Sequence, residues 1–205
     1  MRPGHASGCV RQTGRWPGVV LALLLPGALP AVAAPERFTV DPTHTFPQFE
    51  VSHLGFSLQR GRFNQTRGSV LLDREARRGE VAITIDAASV DTGLEALEKV
   101  LRGDDFFQVE RYPTLTFRSR QLYFRDDLPV GLEGDLTLRG VTRPVSLIIT
   151  QFRCGTQPLT RQTVCGANVR GSLRRSDFGM NAFLPFVGDE VALEIQIEAT
   201  RDPAP

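Results

Sequence analysis

Tryptophan, tyrosine, cysteine and lysine are scarce in this chain of 205 residues, and the scarcities narrow what it can do. The one Trp is Trp16 and the two Tyr are Tyr112 and Tyr123, so the aromatic area resides in 13 Phe. Phe has no polar tip that needs a partner, which suits it to a dry interior. Basic residues are almost all Arg, with Lys99 the one Lys, and the formal net charge is only +1. No basic patch for nucleic acid or anionic lipid follows from that balance. The Cys form no Cys-x-x-Cys pair, so a thiol redox site is not indicated. Outside the first residues the only His are His44 and His53. A metal centre would need a third ligand such as Asp41, and no three-ligand spacing is present, so neither a metal nor a cofactor is expected. No apolar run reaches the roughly 20 residues of a membrane-spanning helix. There is no internal repeat.

The N-terminal stretch reads as an address. Arg2, Arg11 and Arg15 form a positive region, Val19 to Leu29 a short apolar core, and Ala31-Val32-Ala33 a small-x-small cleavage site. Residues 1–33 are therefore expected to be a signal peptide and residues 34–205 one exported domain. Cys9 precedes the apolar core and Trp16 lies in the leader, so cleavage removes both. Cys154 and Cys165 remain, and an even pair in an exported domain reads as a disulfide closing a hairpin.

The rest alternates. From Leu132 to Leu138 apolar residues take every second place; Gly140 and Pro144 bound a turn, and Val145, Leu147 and Ile149 resume the pattern. The same period of two marks Phe49–His53, Val70–Leu72, Val81–Ile85, Leu115–Phe117, Val169–Leu173 and Val191–Ile197, with turns expected at Leu54-Gly55 and around Gly61, Asn64 and Gly68. Leu94, Leu97 and Leu101 instead fall at helical spacing before Gly103, giving one short helix that Phe106 and Phe107 follow. Roughly eight strands and one helix predict an all-β, eight-stranded antiparallel barrel with the helix capping an end. A barrel of this size is wide enough to hold one small ligand.

Parity names the bore. Phe49, Val51, Phe56, Val70, Leu72, Ile83, Leu115, Phe117, Leu136, Leu147, Val169, Leu193 and Ile195 lie on the drier strand faces, with His53 in phase with Phe49 and Val51. Phe106, Phe107, Phe178, Met180, Phe183 and Phe186 fall in the helix and loop insertions and are expected at the ends of the bore, where they could cap a ligand's tail. Arg60, Arg62, Arg174 and Arg175 read either as solvated charge or as partners for a diphosphate at the mouth.

Several blocks in order resemble a known family: VDPTHTFPQFEVSHLGFSLQRGRF at 40–63, VDT at 90–92, DFFQVERYPTLTF at 105–117, GDLTLRGVTRPV at 134–145, RSDFGM at 175–180 and FVGDEVALEI at 186–195. Together they resemble the YceI-like polyisoprenoid-binding proteins. The resemblance implies a lipocalin-like barrel in the bacterial periplasm, holding a polyisoprenoid (an isoprenoid diphosphate or quinone) or other long-chain lipid as its ligand, with encounters with the membrane for ligand exchange and no nucleic acid partner. Members of the family often carry a His where this chain has Val100, so a polar anchor at that place is missing here. A carrier is the reading favoured. The alternative is a barrel enzyme acting on such a lipid with His44 or His53 as acid or base; pairing Ser52 with its neighbour His53 is disfavoured because adjacent strand residues point to opposite faces.

Overall fold

The computed structural model describes residues 34–203 together with Met1, Gly4 and Gly8; the leader expected over residues 1–33 otherwise lies outside the described residues. Eleven strand segments and one helix follow in the order β1 Glu36–Val40, β2 Phe46–His53, β3 Ser57–Phe63, β4 Thr66–Asp73, β5 Arg78–Asp86, β6 Val90–Asp91, α1 Glu95–Arg102, β7 Thr114–Arg125, β8 Leu128–Leu138, β9 Val141–Thr156, β10 Thr163–Arg174 and β11 Val187–Arg201. All pairings are antiparallel, and β11 closes the sheet by pairing with β1 as well as with β10 and β2.

Eleven segments make an eight-stranded barrel because the first three staves are each broken once. β1 and β2 run on in one direction and pair with β4 and β3 respectively; β4 and β3 pair in turn with β5 and β6. The breaks answer one another across the sheet. Asn64 N–H donates to the Ser89 carbonyl at 3.0 Å, Asp86 N–H to the Gln65 carbonyl at 3.0 Å, and Gln65 N–H to Ser89 Oγ at 3.1 Å. Backbone groups freed by one interruption are thus satisfied by the next. The segment around Asn64, expected as a reversing turn, is therefore a kink within one stave.

True reversals occur elsewhere. Leu54 and Gly55 both have positive φ, as do Arg139 and Gly140, the signature of the tight hairpin turn whose twist matches its strands. Pro144 does not bound the second turn as expected. It sits within β9 opposite Asp135, on a stretch that pairs with β8 but not with β10, where its missing N–H costs no ladder bond.

At the end where β2 finishes, called here the upper end, α1 and the segment after it close over the barrel. α1 ends at Gly103, whose N–H donates to the Val100 carbonyl. Leu101 and Phe107 pack with Phe63, Ile85, Leu115, Leu138, Phe178 and Met180 in one cluster. The rings of Phe49, Phe63 and Phe107 meet with centroids 5.3–6.5 Å apart. A second cluster fills the lower half around Phe38, Leu72, Leu122, Leu132 and Val145. Cys154 and Cys165 face each other across β9 and β10 and form a disulfide, with Cα atoms 4.0 Å apart.

Candidate functional site

Inward parity places apolar residues on the inside of every stave, yet many of them are only half-buried. Val70, Val81, Ile83, Leu136, Leu193, Ile195 and Ile197 point inward but remain partly accessible, because they face an open bore. The cavity they enclose has a volume of about 710 Å³. That is within the range of pockets that bury most of a drug-sized ligand, roughly 300–1,000 Å³.

Two glycines help to keep this space open. A Cβ on Gly61 would lie 2.3 Å from Cζ of Phe49, and one on Gly134 would lie 2.4 Å from Cζ of Phe117. Each ring lies against a glycine of the adjoining strand, where a side chain would push it away from the wall.

The cavity is lined from β2, β4, β5 and β7 by Phe49, Val51, Val70, Leu72, Ile83, Leu115 and Phe117, and from β8 to β11 by Leu136, Leu147, Val169, Leu193 and Ile195. His53 lines it near the top of β2. Phe106, Phe107, Met180, Phe183 and Phe186 line its upper part, and Phe106 stacks on Phe183 with centroids 6.2 Å apart. Two residues expected at the cavity lie elsewhere. Phe56 follows the Leu54-Gly55 turn and is 89% exposed at its tip, because the turn, and not a strand face, sets its direction. Phe178 is 2% exposed but packs in the upper cluster behind the cavity, held in a short 3-10 turn. Residues that the alternation did not mark also line it: Thr45, Gln59, Thr66, Thr92, Val100 and Arg175.

The four arginines considered for a diphosphate are all engaged. Arg60 Nε lies 2.5 Å from Glu50, Arg62 lies 3.6 Å from Asp91 and over the Phe46 ring, and Arg174 lies 3.9 Å from Asp189. Arg175 is buried and donates to the carbonyls of Met180, Val187 and Gly188 at 2.6–2.8 Å. Burial pushes its guanidinium below the ordinary value, and the Asp189 carboxylate pulls the other way. Asp189 itself is held below the usual carboxylate range, first by the Ser176 N–H and also by the Ser176 hydroxyl.

The two histidines are not brought together at the cavity. His44 sits in the exposed break between β1 and β2 with Nδ1 2.7 Å from Asp41, outside the lining. His53 lines the cavity, and among the described residues no carboxylate or hydroxyl hydrogen-bonds its ring. Among the described residues no group of three or more His, Cys, Asp or Glu is placed to hold a metal ion, and no helix is long and apolar enough to cross a membrane.

Comparison with known proteins agrees with this geometry. A YceI-like domain matches residues 38–199. Protein YceI of Escherichia coli O17:K52:H18 is 32% identical over 185 residues, which is 90% of this chain and 96% of that protein. Among solved structures, Burkholderia cenocepacia BcnA superposes with a TM-score of 0.67 at 23% identity, covering 78% of this chain and 99% of the other. A polyisoprenoid binding domain from Saccharophagus degradans implicated in plant cell wall breakdown superposes with a TM-score of 0.60 at 18% identity, covering 80% and 98%. These last two likenesses are of fold. With the domain match spanning nearly the whole barrel, and a relative this similar along almost its full length, the chain belongs to the YceI-like family.

Proposed function

We propose that this protein is an exported, periplasmic carrier that binds one long apolar lipid, of the polyisoprenoid class, inside its barrel. The observation that carries the proposal is the cavity: about 710 Å³ of space walled mainly by Val, Leu, Ile and Phe. Each CH₂ transferred there from water contributes about 0.8 kcal/mol in gross terms. Ordering the chain and the partners offsets much of it, so affinity will be moderate and selectivity among tails weak. The fold likeness to a polyisoprenoid binding domain supports the same ligand class. The upper end supports loading from a membrane. Leu54, Val100, Phe183 and Phe186 line the cavity and are 47–66% exposed, and Phe56 projects beside them. Apolar side chains at a mouth lower the cost of passing a tail between bilayer and bore.

The enzymatic alternative keeps only His53, which is at the cavity. Paired variants His44→Ala and His53→Ala separate the readings. A carrier retains lipid in both and shows no turnover; loss of turnover with retained binding in His53→Ala would establish the enzyme instead.

A further inference from the structure

The connection between β10 and β11 has a fixed neck and a loose tip. Arg175 donates from Nη1 to the Met180 carbonyl at 2.6 Å and from Nη2 to the Val187 carbonyl at 2.8 Å, so one guanidinium clamps both ends of the segment between them. Met180 is buried, and the Phe186 carbonyl accepts from the Leu54 N–H at 2.7 Å, which docks the far end on the β2–β3 turn. Between these anchors run Asn181 to Pro185, and none of the five is buried. The Leu184 N–H donates to the Asn181 carbonyl at 3.3 Å and the Val187 N–H to the Phe183 carbonyl at 2.8 Å, so these bonds close the loop on itself. A loop with close ends and no buried residue belongs to the low-stability part of a fold, from which lids are drawn.

The tip reaches the mouth of the bore. Phe183 lines the cavity although it is 59% exposed, and its ring stacks on Phe106, which lines the cavity from the segment after α1. Phe106 has firm footing: its N–H donates to the Gly103 carbonyl at 3.2 Å, and its neighbour Phe107 is buried. The bases of the two segments are joined by Arg139, which donates to the Gly179 carbonyl at 2.9 Å and the Asp104 carbonyl at 3.2 Å. The tip itself is held to Phe106 by the ring pair. Phe183 also has a φ of 61°, in the left-handed region that a bulky side chain seldom adopts. Such strain persists only where the surroundings hold it, and parting the rings gives the tip a way to relieve it.

From the clamped neck, the unburied tip and the ring pair at the mouth we infer that residues 181–185 are a flap over the bore. Phe183 parts from Phe106 to admit or release a ligand, while Arg175 holds the neck as the hinge. The inference rests on the lipid-carrier reading and concerns how fast the bore exchanges its contents, whatever their identity. A flap that is closed most of the time slows entry and exit together, whereas a residue that merely touches the ligand changes exit alone.

The test follows all-trans retinol, a fluorescent isoprenoid, entering and leaving the mature protein in stopped flow. Phe183→Ala should raise the association and dissociation rates together by roughly three- to tenfold, the worth of one aromatic pair. Phe183→Tyr keeps the stack and should keep the parental rates. Because the ring is exposed, Phe183→Ala should melt with the parent, which establishes that it is folded. In the second arm, Phe106→Cys with Phe183→Cys is loaded with retinol and then bridged by a short bis-maleimide. Bridging should slow release by at least about tenfold against the same protein capped with N-ethylmaleimide. A rise in dissociation alone in Phe183→Ala would make Phe183 a wall contact and overturn the flap, as would equal release from bridged and capped protein. Failure of the parent to bind retinol would remove the carrier reading and the flap together, whereas binding with rates that neither variant moves would remove the flap alone.

Discussion

Arg175 is buried where arginines rarely are, and its donors account for it. The Met180 carbonyl of the β10–β11 connection and the Val187 and Gly188 carbonyls at the start of β11 converge on one planar fork, which ties that connection to β11. Arg175→Ala would leave those acceptors unpaired in a dry site. We expect a loss of about 2–4 kcal/mol in denaturant titration, with Arg175→Lys recovering only part, because an ammonium cannot reproduce the fork. His44 offers a pH test. The hydrogen bond and the charge of Asp41 raise its pKa above the ordinary histidine value of about 6.5. Burial tends to raise the pKa of Asp41, but hydrogen bonds from Thr43 and His44 prevail and lower it from 3.8. The histidine's share of stability is therefore full below pH 6.5 and lost as pH rises through its higher folded value. The aspartate's share is present above 3.8 and lost as pH falls through its lower folded value. NMR titration should find His44 above its ordinary value, and Asp41→Asn should bring it back; a titration point unmoved by that substitution would contradict the pairing.

At the scale of the element, stave and helix use their phenylalanines differently. Phe107 is 8% exposed beneath α1, while Phe56 is 89% exposed at a turn. Phe107→Ala should cost about 3 kcal/mol and Phe56→Ala within about 0.5 kcal/mol, read from thermal or denaturant melts. Equal costs would contradict the assignment of α1 as the cap. Gly61→Ala should drive the Phe49 ring off the wall and into the bore, weakening binding of an apolar chain. Much of this level was legible in the sequence, because a strand with one dry face must alternate: β11 reads out its inward Val191, Leu193, Ile195 and Ile197 without a gap. Phe56 was misplaced because alternation cannot tell a strand face from the tip of a turn that reverses it. The break at 64–65 reads from the sequence as a reversing turn and the one at 87–89 leaves no mark, because the hydrogen bonds that join the two connect residues far apart in the chain. Thr66 carried no signal at all: a polar residue beside Asn64 and Gln65 reads as a loop, and only the closed barrel turns it inward.

For the whole molecule, closure is what creates a function. Pairing of β1 with β11 removes the sheet's open edges and converts a row of dry faces into an enclosed volume. The disulfide between Cys154 and Cys165 pins the hairpin at the opposite end from the mouth. Its removal by Cys154→Ser with Cys165→Ser should cost at most about 3 kcal/mol. That loss should appear in the melt while lipid uptake at the upper end persists. The most direct test of the central claim is native mass spectrometry of the protein purified from its own host without organic solvent. The account predicts a population heavier than the mature chain by the mass of one long-chain lipid, released intact on organic extraction. A protein that emerges empty, and stays empty after incubation with lipid vesicles, would contradict it.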